Sequence, residues 1–139
     1  MTLADCEPGH PLARVAPAVP VDRLAAEPVV HYDASHGLAG WLDETMAAHG
    51  VVLSVAMRSR QTSAPALLAA AGLGVAFVPV TAVPVPFPGA LRRLDPPLHR
   101  EIVVLVGAAS DPLTQRFAAD LSRRGVPVPA EIDRKLAAT

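Results

Sequence analysis

The sequence predicts an α/β fold with a doubly wound, mainly parallel sheet. Short apolar segments alternate with segments of helical periodicity, which is the pattern of repeated strand–helix–strand units. Residues 75–78 are apolar without interruption, as expected for a strand that helices cover on both faces. A length of 139 residues fits a single domain.

The amino-terminal part is predicted to be mostly extended. Residues 1–4 fit the end of a strand, and a proline-rich passage follows up to Pro20. Residues 21–26 fit one or two helical turns that end before Pro28, because the residue preceding a proline disfavours the helical conformation. Residues 29–32 then form a strand.

The next unit is a helix over residues 38–49 followed by a strand over residues 51–57. Gly50 is expected to close the helix. Four apolar side chains recur at the spacing of one helix face and should pack on the sheet; they are Leu38, Trp41, Leu42 and Met46.

A second helix–strand unit begins after Gln61. Thr62 or Ser63 is expected to cap the helix with its hydroxyl group, Pro65 is tolerated in the first turn, and residues 66–71 are strong helix formers. Gly72 and Gly74 then end the helix and turn the chain into the strand at 75–78, because glycine adopts conformations closed to other residues. Pro79 stops that strand.

The carboxyl-terminal part contains weaker elements. Four prolines break residues 79–88, so residues 81–88 are predicted as a loop. Residues 90–94 fit an edge strand, and residues 101–106 fit an apolar strand.

A third helix is predicted to begin at Asp111 and Pro112, as cap and first residue, and to end at Gly125. Asp120 and Arg124 are spaced to pair across one turn. Its apolar stripe consists of Leu113, Phe117 and Leu121. An extra helix from Ala130 has Ile132 and Leu136 as its large apolar residues.

Composition excludes several classes of function. The formal net charge is -1, from 12 basic and 13 acidic residues, so no electrostatic footprint for nucleic acid is present. Cys6 is the single cysteine, which precludes an internal disulfide and favours a reducing compartment. No bilayer-length apolar run or export signal is found, and a cytoplasmic protein without membrane contact is expected.

Several segments resemble, in order, the effector-binding domain of LysR-type transcriptional regulators. The most extended is Leu-Leu-Ala-Ala-Ala-Gly-Leu-Gly-Val-Ala-Phe-Val-Pro at residues 67–79, and His-Pro-Leu-Ala at residues 10–13 is similar to the crossing between the family's two subdomains. The resemblance covers about residues 5–124. Further matching segments are residues 21–24, 27–30, 89–94, 100–106 and 111–124.

The resemblance implies a division of the chain. Residues 1–20 correspond to a crossing strand and extended connection, 21–95 to the second effector-binding subdomain, 96–125 to the return crossing strand and closing helix, and 126–139 to a tail. In the family a first subdomain and a DNA-binding helix-turn-helix precede these segments. Neither is expected within this chain, so direct nucleic acid contact is not expected either.

Three loops are expected at the carboxyl ends of the parallel strands, where doubly wound sheets bind ligands: residues 33–38, 58–63 and 79–83. Polar groups and helix amino termini there favour an anion. Helix capping alone is the competing interpretation of the hydroxyl and carboxylate groups, and for Arg58 and Arg60 it is a solvated charge. The resemblance implies effector contacts at these loops, and the candidate residues are Asp33, Ser35, His36, Leu38, Gln61, Thr62, Ser63 and Pro79.

Catalytic and metal sites are not predicted. His31, Asp33 and His36 lack the spacing of a metal site. Ser35 and His36 are adjacent on one loop and lack a nucleophile elbow. The glycines at 72 and 74 follow a helix instead of a strand, so they do not form a dinucleotide fingerprint. We therefore expect neither an enzyme nor a cofactor.

The leading hypothesis is the effector-binding part of a LysR-like regulator, with a small anionic molecule as its ligand. Apolar faces of the crossing strands and of the helix at 113–121 are expected to lack cover and to drive self-association, most simply as a homodimer. The alternative is a stand-alone solute-binding module of the periplasmic-binding-protein type, which shares this architecture.

Overall fold

Strands and helices alternate along most of the chain in the computed structural model, which describes residues 1–138. The strands are β1 (Thr2–Cys6), β2 (Val19–Pro20), β3 (Pro28–Tyr32), β4 (Ser54–Ser59), β5 (Val75–Pro79), β6 (Ala90–Arg92) and β7 (Leu94–Asp95). The helices are α1 (Ala39–Ala48), α2 (Ala64–Leu68), α3 (Pro112–Arg124) and α4 (Ala130–Ala137). Short 3-10 turns at Pro11–Arg14, Val21–Ala26 and Val80–Ala82 connect them.

The main sheet has the strand order β4-β3-β5-β1-β6. β3 runs parallel to both β4 and β5, whereas β1 is antiparallel to β5 and β6. β2 and β7 form a separate parallel pair. The predicted mainly parallel sheet is thus confirmed. Its three parallel neighbours, β4, β3 and β5, extend from one edge of the sheet to its centre. The expectation that the first crossing strand lacks cover was wrong, because β1 pairs with a strand on each side and Thr2, Ala4 and Cys6 are buried.

Helices cover both faces of the sheet, as a doubly wound fold requires. α1 packs on one face through Leu38, Leu42 and Met46, which belong to one buried cluster with Tyr32. The predicted apolar stripe of α1 is therefore confirmed. The other face is covered by α2 and, through Ile132 and Leu136, by α4, so the extra helix predicted from Ala130 is also present and buried.

Two glycines govern the turn from α2 into β5. Residues Ala69–Leu73 form a π-turn in which Gly72 has φ 90 and ψ 14, and Gly74 has φ 135. A side chain on Gly74 would collide with the carbonyl oxygen of Pro28, the first residue of β3. Gly74 therefore lets β5 begin beside β3, as the sequence predicts for a glycine at this point.

Two strand predictions need correction of their bounds. The second strand starts at Ser54 instead of residue 51. Val51 is buried in the core, where its N–H donates to the Met46 carbonyl at 2.9 Å, so it closes α1 and does not join the sheet. The predicted edge strand at 90–94 is split at Arg93, because β6 pairs with β1 while β7 pairs with β2.

Residues 99–129, hereafter the arm, leave the body of the domain and return to it. No residue of the arm is buried. The predicted strand at 101–106 was wrong: these residues have no strand partner in the part of the chain that the structure describes. A strand needs a neighbouring strand to pair its backbone groups, and this segment has none among the described residues. Its side chains are left uncovered, and Leu105 is 91% exposed. The other exposed large apolar residues of the arm are Ile102, Val103, Val104, Val106, Leu113, Phe117, Leu121, Val126 and Val128.

The helix of the arm, α3, has the predicted ends. The Asp111 carboxylate accepts hydrogen bonds from the Leu113 and Thr114 N–H groups at 2.8 and 3.1 Å, and Gly125 follows the last turn with φ 61. Asp120 pairs with Arg123 one turn away, not with Arg124 as predicted. The uncovered apolar stripe of this helix agrees with the sequence prediction.

No helix within residues 1–138 is both long enough and apolar enough to cross a bilayer.

Candidate functional site

The carboxyl ends of β3, β4 and β5 share one edge of the sheet, hereafter the rim. Tyr32, the last residue of β3, is paired with Ser59, the last residue of β4. In β5, Ala76 is paired with Val30, so Pro79 at the end of β5 lies about one residue beyond the level of Tyr32. The three parallel strands therefore deliver their loops to the same edge.

The loops after β3 and β4 contact each other directly. The Asp33 N–H donates to the Ser59 carbonyl at 2.8 Å. The His36 ring stacks on Tyr32 with centroids 4.6 Å apart and an interplanar angle of 22°. The Tyr32 hydroxyl donates to the Thr62 carbonyl at 3.3 Å. We call Tyr32, His36 and Thr62 the rim cluster.

The hydrogen bonds of His36 fix its tautomer. Its Nδ1 accepts from the Leu38 N–H at 3.2 Å, so that nitrogen carries no proton. Nε2 therefore bears the hydrogen and donates it to Thr62 Oγ1 at 3.1 Å. The Thr62 hydroxyl accepts this bond, which leaves its own hydrogen available to an acceptor on a ligand.

Asp33 and Ser35 form a turn of their own and do not cap α1. The Asp33 carboxylate accepts from the Ser35 hydroxyl at 2.6 Å and from the Ser35 N–H at 3.1 Å. These bonds, the hydroxyl bond above all, lower the pKa of Asp33, and the nearby Arg60 guanidinium, 3.7 Å away, adds to the effect. The α1 helix begins after Leu38 without a side-chain cap, so the capping interpretation of Asp33 and Ser35 was wrong.

The start of α2 corrects the prediction that Thr62 or Ser63 caps it. Ser63 precedes the helix without a side-chain hydrogen bond, and the Thr62 hydroxyl is bound to His36 instead. The chain already has helical angles at Ser63, with φ -92 and ψ -15. The Ala64 N–H can therefore bond the Gln61 carbonyl at 3.3 Å, and backbone groups replace the cap.

The remaining candidates occupy different environments. Gln61 is exposed on the loop after β4. Leu38 is buried under α1, so it supports the loop and does not face a ligand. Pro79 lies opposite Thr2 of β1 and lines a hollow of about 280 Å³, apart from the rim cluster. Hydrogen bonds within residues 1–138 thus join the first two predicted loops, and none joins them to the third.

His31 does not lie with Asp33 and His36. Its ring is buried, with Nδ1 2.9 Å from the Tyr32 carbonyl and Nε2 3.4 Å from a carboxylate oxygen of Asp43. Among residues 1–138, no three His, Cys, Asp or Glu side chains converge on a common point. Arg58 is exposed, as expected for a solvated charge, and its guanidinium also donates to the Tyr32 carbonyl at 2.9 Å.

Two residues at the rim were missed at the level of sequence. Tyr32 was assigned only to a strand, although it is the last residue before a ligand-facing loop and carries an aromatic ring. Arg100 was placed only in the segment 100–106 that resembles the return crossing, yet it lines the hollow beside Pro79.

Comparison with known proteins decides the family. Residues 4–125 match the family model of the LysR substrate binding domain. The chain belongs to this family. A search of curated protein sequences gave no significant match.

Solved LysR structures share the fold at low sequence identity. A probable LysR regulator domain from Rhodococcus superimposes with a TM-score of 0.67 at 19% identity, covering 87% of this chain and 62% of that one. The CcmR regulatory domain from Synechocystis, in complex with 2-PG, gives 0.69 at 17%, covering 93% and 64%. The effector binding domain of QuiR, in complex with shikimate, gives 0.67 at 14%, covering 91% and 63%. This chain therefore spans less than two thirds of the length of these LysR structures.

Proposed function

We propose that this chain is the effector-binding, regulatory part of a LysR-like transcriptional regulator and that it senses a small anionic metabolite. The observation that carries the proposal is the convergence of two loops on the rim cluster, where the Thr62 hydroxyl has a hydrogen to donate. Asp33, Ser35, His36, Gln61, Thr62, Ser63 and Pro79 remain the proposed effector-facing residues, and Leu38 is proposed as their support.

The charges at the rim favour an anion. Arg58, Arg60 and Arg100 carry positive charge near this edge, and Asp33 is the acidic group whose charge is already balanced by Arg60 and by the Ser35 hydrogen bonds. The family relatives with bound ligands support the same class, because their ligands are 2-PG, shikimate and, for the BenM effector domain, benzoate. Fixed positive charge at a rim raises the local concentration of an anion.

The effector would act by shifting an equilibrium. A ligand held between this subdomain and a first subdomain stabilises the arrangement to which it binds more tightly. DNA contact is assigned to another part of the regulator, which agrees with the net charge of -1. We propose a cytoplasmic location, no catalytic role, no cofactor and no membrane contact, and we retain the division at residues 20, 95 and 125 as a proposal.

The stand-alone solute-binding module remains the alternative, since it shares the architecture. The family match over residues 4–125 favours the regulator. The natural reading frame upstream of Met1 distinguishes the two: a helix-turn-helix supports the regulator, and an export signal supports the solute-binding module.

An effector screen by thermal unfolding tests the proposal. A ligand at one hundred times its dissociation constant stabilises the folded state by about 2.7 kcal/mol, which raises the melting temperature by several degrees. Thr62→Val should weaken binding by about tenfold, the cost of one hydrogen bond. Thr45→Val is the matched control, because the Thr45 hydroxyl bonds the Trp41 carbonyl within α1 and lies away from the rim. A hit that binds both variants equally would contradict the assignment of Thr62.

We also propose that the arm mediates self-association, most simply as a homodimer. Ten large apolar side chains of the arm are exposed, and exposed apolar patches drive association. Five of these side chains line one hollow: Ile102, Val103, Val104, Leu121 and Val126. Phe117, 63% exposed, lies in the stripe of α3, whereas Arg116 next to it is polar.

Sedimentation equilibrium tests the self-association. Phe117→Ser should raise the dissociation constant of the dimer by at least about tenfold, the equivalent of 1.4 kcal/mol. Arg116→Ser, on the same helix, should leave that constant unchanged. A wild-type chain that stays monomeric at about 1 mM, a concentration at which a contact worth 4.1 kcal/mol is half formed, would refute the proposal.

A further inference from the structure

The hollow beside Pro79 has one charged side chain among its lining residues. It lies where the arm leaves and rejoins the body, and its volume is about 280 Å³. Arg100 is the charged residue, and Thr2 and Thr81 supply hydroxyl groups. The rest of the wall is apolar, formed by Met1, Pro79, Val80, Ile102, Val126 and Val128.

Two backbone hydrogen bonds hold the floor of the hollow. The Thr2 N–H donates to the Leu98 carbonyl at 2.9 Å, and the Val80 N–H donates to the Met1 carbonyl at 3.0 Å. The first bond fixes the chain two residues before Arg100, and the second fixes the end of β5 against β1. Arg100 therefore extends from an anchored backbone.

The guanidinium of Arg100 is free to bind a ligand. Among residues 1–138 it has neither a hydrogen-bond nor an ion-pair partner. No acidic side chain lines the hollow, so an internal carboxylate does not compete for it. A guanidinium pairs with a carboxylate through two parallel N–H bonds, which makes a carboxylate the natural complement.

The charge of Arg100 acts electrostatically on the rim cluster. Burial raises the pKa of Tyr32, and the positive charge of Arg100 acts against that rise. The Tyr32 hydroxyl in turn donates to the Thr62 carbonyl.

We propose that this hollow binds a small monocarboxylate with a compact apolar body, with Arg100 pairing the carboxylate and the apolar wall enclosing the body. The proposal rests on the proposed effector-binding function and narrows its ligand class. A volume of about 280 Å³ is just below the usual range of ligand sites, so the body is no larger than one ring. Among the described residues, no second charged side chain lines the hollow to pair with a second anionic group.

An NMR titration with two probes of the same shape tests the proposal. Cyclohexanecarboxylate supplies the charge and the apolar body, and cyclohexanecarboxamide supplies the body without the charge. We expect saturable shifts of the amide signals of Thr2, Thr81 and Ile102 with the carboxylate. The amide probe should bind at least tenfold more weakly, and added salt should weaken only the carboxylate.

Variants of Arg100 identify the group that binds the carboxylate. Arg100→Gln should weaken the carboxylate at least tenfold and leave the amide probe unchanged, and Arg100→Lys should recover part of the loss. The matched control is Arg23→Gln, because Arg23 is exposed on the turn before β3, at the opposite end of the sheet. The dispersion of the amide spectrum verifies that each variant is folded.

Three results would overturn the inference: equal binding of both probes, equal binding of the carboxylate to wild type and Arg100→Gln, or no saturable shift. The effector screen keeps this failure separate from that of the proposed function. If another ligand binds and Thr62→Val weakens it, the effector-binding function stands and the Arg100 assignment falls. If no ligand of the screen binds either, the Arg100 assignment alone falls, because the proposed effector site also includes the first subdomain.

Discussion

Replacing Asp5 with asparagine should stabilise the protein increasingly as the pH rises. Asp5 lies in the middle of β1, opposite Ala76 of β5 and Leu91 of β6. It has 0% exposure, and neither carboxylate oxygen has a hydrogen-bond partner among residues 1–138. Burial raises the pKa of this carboxyl from 3.8 to about 9, so the folded protein holds Asp5 protonated at neutral pH.

The size of the effect follows from proton linkage. Between the pKa of the unfolded chain, 3.8, and that of the folded state, about 9, folding must take up a proton. Asp5 therefore costs the folded state no stability below pH 3.8. Between pH 3.8 and about 9, the free energy of unfolding falls by about 1.4 kcal/mol per pH unit because of this group. At pH 7 the loss amounts to about 4 kcal/mol, a large part of the stability of a typical domain.

Asparagine removes the proton uptake while keeping the shape of the side chain. The amide and the protonated carboxyl are both neutral and both lack a partner, so Asp5→Asn and wild type should be about equally stable near pH 4. The difference should then grow to about 4 kcal/mol at pH 7 in favour of the variant. Urea unfolding at pH 5, 6, 7 and 8 measures it, and the exposed Asp22→Asn serves as control. A difference between Asp5→Asn and wild type that does not change over this range would refute the reasoning.

Two further substitutions test the packing of the fold. Gly74→Ala should destabilise the protein by about 3 kcal/mol or more, because the new methyl group collides with the Pro28 carbonyl and φ is 135; Gly37→Ala, with open space around it, should change stability by less than about 1 kcal/mol. Ile132→Ala should cost about 2–5 kcal/mol, since this side chain of α4 is fully buried. Leu113→Ala on the exposed α3 should cost less than about 0.5 kcal/mol. Urea midpoints compare each pair, and equal losses within a pair would contradict the burial on which it rests.

Local sequence patterns were sufficient to predict the parallel core of the fold. The segments that became β3, β5 and α1 carry their own signals: an apolar run bounded by proline, a glycine before or after it, or an apolar stripe at helical spacing. These signals depend on residues within a few positions of one another, so they can be recognised without knowledge of the rest of the chain. They placed the loops after β3 and β4 at a common edge because parallel strands have no other arrangement.

The side-chain partners at the rim depended on tertiary structure. The Thr62 hydroxyl was equally suited to cap α2 or to bond a neighbour, and the position of His36, 26 residues earlier, decided between them. Leu38 was assigned to the ligand by its position in the loop, but the side chain turned into the core. A hydroxyl group or a loop residue has several nearby partners of similar energy, and the sequence does not rank them.

By itself, the sequence determined the helices, the central strands β3 and β5, the glycines and prolines that end them, and the family pattern that they follow. Only the tertiary structure decided that residues 101–106 remain uncovered in an arm, that Asp5 is enclosed between two neighbouring strands, and that Arg100 faces the hollow beside Pro79. The reason is that helical periodicity and chain reversal are local properties, whereas strand pairing, desolvation and side-chain contact depend on segments that lie far apart along the chain.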